Sequence, residues 1–386
     1  MKMDEPKLLE LAKKHGTPLY IIDHDIIREQ YRIFNEKLPR VQVYYAIKAN
    51  SEKEIIKTLF NEGASFDAAS LTEFQNVFDL IKDQKIDQQR QFIWDKLIFS
   101  NTIKPDNTLR MIREYRPLVT YDNIDELKKI KKYCDTAGLV LRVKVPDTGS
   151  MVEMGGKFGA LPSEAVDLVL EAFKLGLIVE GVSFHVGSQC ANFSNFIEAL
   201  QIVHDIFFEA EKRSGKDLRI VDIGGGFPIA YDETIPGFDK LAEIINSEID
   251  RLFKEDIEII AEPGRFLVAD AATLITKIEG RSRRDGGKRF YYINDGVYHT
   301  FSGVVFDHCV YHFKPFLKDK DKGKTEICAV VGPTCDSFDK VSLDEQLPGE
   351  LEVGDFLITE KIGAYSTASS TNFNGIPGAK ILHVNL

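Results

Sequence analysis

The sequence has 386 residues, more than one ordinary core holds, which points to a large barrel-sized domain with a smaller companion or to two comparable domains. With 44% hydrophobic and 28% charged residues, 28 Gly and 14 Pro, it has the makeup of a folded enzyme, and its net charge of −11 argues against nucleic acid or an anionic membrane as partner. The cysteines, at 134, 190, 309, 328 and 335, are odd in number and form no C-x-x-C pair, which fits reduced thiols in a cytoplasm; the start MKMDEPKLLE lacks the apolar core of a secretion signal, and no run of about 18 apolar residues suggests a membrane span.

In chain order, TPLYIID (17–23) is an extended run ahead of the first repeat unit and is assigned to the second domain. Eight short β-rich runs follow: VYYAIK (43–48), ASFDAA (64–69), LIFSN (97–101), LVTYD (118–122), VLRVKV (140–145), GVSFHVG (181–187), RIVDIGGG (219–226) and EIIAEPGR (258–265). Between them lie helical patterns with apolar residues at three- and four-residue spacing, such as EKEIIKTLFNEG (52–63), NIDELKKIKKYCDTAG (123–138), PSEAVDLVLEAFKLG (162–176) and FDKLAEIINSEIDRLFKE (238–255). Eight strand–helix repeats predict a (β/α)8 barrel. After Arg265 the texture changes to TLITKIEG, FYYINDGVY, EICAVVG, GDFLITE and AKILHVN, strands broken by Gly and Pro that predict a mostly antiparallel β-domain. KDKDKGK (318–324) reads as a solvated loop. The expected division is residues 1–25 as an N-terminal segment partly joining the β-domain, 26–266 as the barrel and 267–386 as the β-domain.

Active sites of such barrels lie at the C-terminal ends of the strands, and here those ends are polar. They carry Lys48, Asp67, Asn101, Asp122, Arg142, His185 with Ser188, Asp222, and Glu262 before Arg265. Any one of them alone reads equally well as a helix cap or a satisfied buried group. Gly224, Gly225 and Gly226 follow the seventh strand, where bare backbone N–H groups can cradle an anion, and Arg265 after the eighth adds a bidentate partner. The expected ligand is therefore a phosphate group. No G-x-x-x-x-G-K-[ST] loop or helix-opening G-x-G-x-x-G occurs, which disfavours nucleotides, and no metal is expected. A lysine, a phosphate cradle and a carboxylate around one barrel mouth are the parts needed for pyridoxal 5'-phosphate: Lys48 as Schiff-base amine and Glu262 holding a proton on the ring nitrogen. The plainer alternative for Lys48 is a salt bridge across the mouth.

The motifs YYAIKAN, FDAAS followed by TE, HVGSQC, DIGGGFP, AEPGR, YYINDGVY, GPTCDSFD and GAYS, spread over nearly the whole chain, resemble the fold type III pyridoxal-phosphate decarboxylases, the ornithine, diaminopimelate and arginine decarboxylase group, and most closely its ornithine branch. The resemblance implies an alanine racemase-like fold with Lys48 as the cofactor lysine, His185 stacked on the ring and Glu262 at the ring nitrogen. It also implies a phosphate held by Ser188, Gly224, Gly225, Gly226, Arg265 and Tyr365, with Gly264 beside the cofactor and Asp67, Glu73 and Arg142 in the surrounding network. It further implies a head-to-tail homodimer in which Cys335 and Asp336 complete the partner's site, Cys335 returning a proton to Cα. Asp307 of FDHCV, Asp336, Tyr298 and Phe373 are then the substrate contacts. Two carboxylates around a distal ammonium favour L-ornithine, converted to putrescine and CO2. CDSFD in place of the C-E-S-G-D usual for diaminopimelate enzymes counts against that substrate, while Phe306 and CDSFD depart from the ornithine pattern and keep L-lysine to cadaverine open. An arginine decarboxylase, a racemase and a non-catalytic regulatory homologue are the other readings; Glu262 disfavours the racemase.

Overall fold

The structure, a computed structural model, describes residues 3–231, 235, 237–316 and 323–386, with the backbone alone at 285. Most of the lysine-rich tract at 318–324 lies outside the described residues. The chain divides into two compact units, Gln30–Phe266 and a second made of Met1–Glu29 with Leu267–Leu386.

The first unit is a closed barrel of eight strands, all parallel: Val41–Ala46, Ser65–Ala68, Leu97–Phe99, Leu118–Tyr121, Gly138–Val143, Ile178–Phe184, Ile220–Asp222 and Glu258–Ala261, the last pairing with the first. These strands are covered on both faces, which is why they read as near-continuous apolar runs. Tyr44, Ile98, Leu118, Val140, Ile220 and Ile260 fill the interior, with Trp94 packed against them. Each helix buries one stripe, as Lys53–Asn61 does with Ile55, Ile56 and Leu59. Side-chain caps start several of them: Ser70 accepts from Glu73 N, and Asn123 from Glu126 N. The first strand ends two residues earlier than its sequence pattern implies, and Ile47–Ala49 forms a 3-10 turn that carries Lys48 out of the wall and onto the rim. In the seventh run only Ile220–Asp222 is paired, so the glycines are loop. An additional two-stranded antiparallel sheet, Ser150–Val152 with Ser188–Cys190, joins the loops after the fifth and sixth strands.

The second unit is built on an eight-stranded sheet of mixed but mainly antiparallel pairing. Leu19–Asp23 lies between Ala272–Arg284, antiparallel, and Lys380–Val384, parallel. The other parallel pair is Lys288–Ile293 with Thr325–Val331. Lys340–Pro348 is a strand that its acidic middle, LDEQ, does not announce; it forms because Thr325–Val331 offers an edge to pair with. Helix Glu5–His15 covers the sheet through Leu8, Leu11 and Ala12, which pack on Leu19, Ile21, Ile275 and Ile358.

Candidate active site

At the barrel rim Lys48 Nζ lies 2.6 Å from Asp67 Oδ2, with the Asp67 side chain fully buried and that of Lys48 31% exposed. The salt bridge considered as the plain alternative for Lys48 is thus present. It does not compete with a covalent role, because an amine needs a resting partner whenever it is not engaged. The other Asp67 oxygen accepts from the Ser100 hydroxyl, so the carboxylate is held in one rotamer facing the lysine. Glu73 is tied to the same turn by Ala69 N–H, 2.6 Å from Oε2; burial raises its carboxyl above the usual range and this bond opposes the rise.

The residues expected to cradle a phosphate come from three loops. Gly224 and Gly226 adopt φ of +62° and +98°, and a Cβ at Gly224 would sit 2.0 Å from the Phe184 carbonyl, so no larger residue fits. The loop is latched to the one after the sixth strand: Gln189 Nε2 donates to Ile229 O at 2.6 Å, Ile229 N to Gln189 Oε1 at 3.0 Å, and Cys190 N to Gly226 O at 2.9 Å. Arg265, 4% exposed, donates through Nη2 to Ser188 Oγ and through Nη1 to Tyr231 Oη, both at 2.9 Å. Gly264 lies against Ala46 and Ala49, beside the turn that bears Lys48.

His185 Nδ1 accepts from Gly187 N at 3.0 Å, which leaves the proton of the neutral ring on Nε2. Burial, then the positive Arg142 and Lys48, hold its pKa well below the ordinary value, so the ring is neutral. The Arg142 guanidinium lies over the Phe158 ring at 5.3 Å. Glu262 is 7% exposed and its pKa stands well above the usual range, chiefly through burial and then through Asp222 and Asp67. Two other strand-end residues serve the loops: Asn101 Oδ1 accepts from Ile103 N, and Asp122 Oδ2 accepts from Gly159 N at 2.9 Å.

In the second unit three of the predicted substrate residues, Tyr298, Asp336 and Phe373, are brought together, and Asp307 has a separate setting. Tyr298 donates to Asp336 Oδ2 and stacks on Phe373, ring centres 4.4 Å apart at 23°. That hydrogen bond, with Phe338 N–H on Oδ1, holds Asp336 below the usual carboxylate range. Cys335 is exposed, its backbone N–H bonded to Asn374 Oδ1. Asp339 organises this loop from beneath by accepting from Val297 N, Thr334 N and Thr334 Oγ1. Asp307 is buried, accepts from Cys309 Sγ at 3.2 Å, and follows the short helix Gly303–Phe306. Tyr365 takes a left-handed φ of +51° just before Ser366. Sequence reasoning did not single out Ser100, Gln189, Tyr231 or Asp339. Ser100 alone leaves a trace, a small hydroxyl at a strand end.

The residues present fit pyridoxal phosphate. The cradle excludes side chains and offers a guanidinium, hydroxyls and the glycine-loop backbone beyond Gly224, whose own N–H is taken by Asp222 Oδ1, while Glu262 Oε1 is a buried acceptor with no donor among the described residues. Residues 24–269 match the family model for the pyridoxal-binding domain of pyridoxal-dependent decarboxylases. The chain belongs to this family. Relatives cover nearly all of it: a probable ornithine decarboxylase of Dictyostelium discoideum is 34% identical over 97% of this chain and 81% of its own, and antizyme inhibitor 2 of Xenopus laevis is 37% identical over 91% and 77%. The crystal structure of lysine/ornithine decarboxylase complexed with cadaverine from Vibrio vulnificus superposes with a TM-score of 0.89 at 32% identity, over 100% of both chains. This protein is a pyridoxal-phosphate-dependent amino-acid decarboxylase of fold type III. No described helix of the decarboxylase is long and apolar enough to cross a membrane.

Proposed function

We propose that the decarboxylase converts L-ornithine to putrescine and CO2, with L-lysine to cadaverine as a side activity. The substrate reading rests on two carboxylates, Asp307, which is buried, and Asp336, which the Tyr298 hydroxyl holds below the usual carboxylate range, groups of the kind that bind a distal ammonium. Relatives named ornithine decarboxylase and lysine/ornithine decarboxylase support it. One methylene separates the two substrates, a difference that a pocket discriminates by only about 1–3 kcal/mol.

In this reading Ser188, Arg265 and the glycine cradle bind the phosphate, and Lys48 is the covalent anchor. Asp67 holds the lysine whenever substrate has displaced it. Glu262 keeps a proton at the ring nitrogen, and neutral His185 lies against the ring. The cofactor supplies an electron sink for the pair left on Cα when the carboxylate departs. Cys335 Sγ then gives Cα its proton.

Cys335 and Asp336 act in the site of a second copy. Supporting this are exposed apolar side chains of the same unit, Phe306, Val310, Phe338 and Phe373, and a cavity of about 400 Å³ lined by Val297, Val304, Val305, Ser337, Phe338 and Lys340. CO2 release from ornithine, lysine, arginine and diaminopimelate, measured side by side with cofactor, tests the substrate: ornithine leads and lysine follows. Asp307→Ala raises the KM for ornithine by about ten- to a hundredfold, the worth of one hydrogen bond to a charged group. Preference for arginine or diaminopimelate, or an unchanged KM, removes the carboxylate argument.

A further inference from the structure

Asp222 closes the seventh barrel strand and Glu262 follows the eighth, its parallel neighbour. The two carboxyls act on each other electrostatically. Gly224 ties both from behind, its N–H donating to Asp222 Oδ1 at 2.8 Å and its carbonyl accepting from Glu262 N at 2.7 Å. The two residues are 1% and 7% exposed, yet Asp222 Oδ2 and Glu262 Oε1 have no donor among the described residues.

Ionised carboxylates only accept hydrogen bonds, so two of them cannot satisfy each other. A single proton held by the pair makes one a donor to the other and removes one of two adjacent buried charges. The groups facing the pair act in both directions, and burial decides in favour of this state. Asp67 from the second strand repels both, Lys48 and Arg142 on the first-strand turn and the fifth strand oppose it, Tyr44 of the first strand is pushed towards its neutral form by burial and in part by Asp222, and His185 is neutral. Burial is the largest cause raising both carboxyls, Asp222 to about 7.

We propose that Asp222 is a positioning residue of the cofactor site, sharing one proton with Glu262 that the pair gives up when Glu262 takes hold of the protonated ring nitrogen of pyridoxal phosphate. The proposal rests on the reading of Glu262 as the partner of that nitrogen. Before binding, the pair carries one proton and one negative charge; afterwards it carries two negative charges facing the ring cation. One carboxyl O–H bond breaks and its electron pair stays on oxygen. The proton goes to the ring nitrogen if that arrives bare, and to water if it arrives already protonated. Repulsion that would disfavour the apoprotein thereby becomes attraction for the ring.

Asp222→Asn keeps an acceptor for Gly224 N–H and removes the shared proton. The apoproteins are titrated with pyridoxal phosphate near neutral pH in two buffers of different ionisation enthalpy, which counts protons exchanged per cofactor bound. Wild type releases one proton more than D222N, and the difference vanishes at alkaline pH, where the pair is already ionised. Equal counts for the two proteins overturn the proposal. If D222N does not fold, Asp222→Ser, a smaller neutral acceptor, repeats the count. Glu262→Gln separates the two readings: if cofactor affinity and the absorbance of bound cofactor are unchanged in E262Q, the Glu262 assignment fails. If they change while D222N counts protons as wild type does, only the role of Asp222 fails.

Discussion

Lys48 stands on a 3-10 turn just beyond its strand, with its amine 2.6 Å from a buried carboxylate that Ser100 holds in place. A lysine anchored in this way can alternate between a covalent bond and an ion pair without crossing the apolar barrel interior, and both states keep its nitrogen satisfied. Lys48→Ala removes the absorbance of covalently bound cofactor and lowers turnover by at least about a thousandfold, the scale on which an acid–base or nucleophilic group contributes. Persistence of both signals in the variant would take Lys48 out of the centre of the site. Single residues were legible in proportion to how unusual their setting is. A charge at a strand end and three consecutive glycines are visible in one dimension. Tyr231 is not, since nothing near it in sequence marks it as the hydroxyl that accepts from Arg265. Asp222 was visible as one polar strand end among eight, but its relation to Glu262 appears only when two adjacent strands are paired.

Among the elements, strand Leu19–Asp23 is the one whose place depends most on partners distant in sequence. It is held by Ala272–Arg284 on one side and Lys380–Val384 on the other, and His24 at its end bonds His383 through Nε2 and Nδ1 at 2.9 Å. His24 is pushed from 6.5 down to about 4, first by burial, then by His383 and Arg28, with Asp25 opposing. The folded chain therefore refuses a proton that the unfolded chain accepts below about 6.5, so this group erodes stability as pH falls from there towards 4. Its slope is at most about 1.4 kcal/mol per pH unit, the value for one proton. Urea unfolding of wild type and His24→Asn at several pH values checks this: the variant shows the flatter dependence across that window. An identical slope in both removes His24 as the cause. The helices needed no such distant information, because apolar spacing and caps such as Ser70 and Asn123 are local.

At the scale of the whole molecule, the proposed sharing of active sites between two copies is tested by complementation. If each site takes Cys335 from a second copy, a Lys48→Ala chain and a Cys335→Ala chain are each inactive alone, but a mixed dimer contains one site with both native residues. Mixing the two purified variants then restores turnover that neither shows separately. Sedimentation confirms that the restored activity travels with the dimer, and no recovery under conditions where subunits exchange rules out the shared site.

The sequence by itself determined the barrel, the change to a β-domain after Arg265, and the polar residue types at the strand ends, because periodicity, glycine runs and strand-end charges are properties of consecutive residues. Only the tertiary structure decided that Lys48 leaves the strand, that Lys340–Pro348 is a strand, that Ser100 and Tyr231 hold Asp67 and Arg265, and that Asp222 and Glu262 stand on neighbouring strand ends bridged by Gly224. The reason is physical. A hydrogen bond or a shared proton depends on which strands become neighbours when the barrel closes, and that is set by packing the whole sheet rather than by any local run of residues.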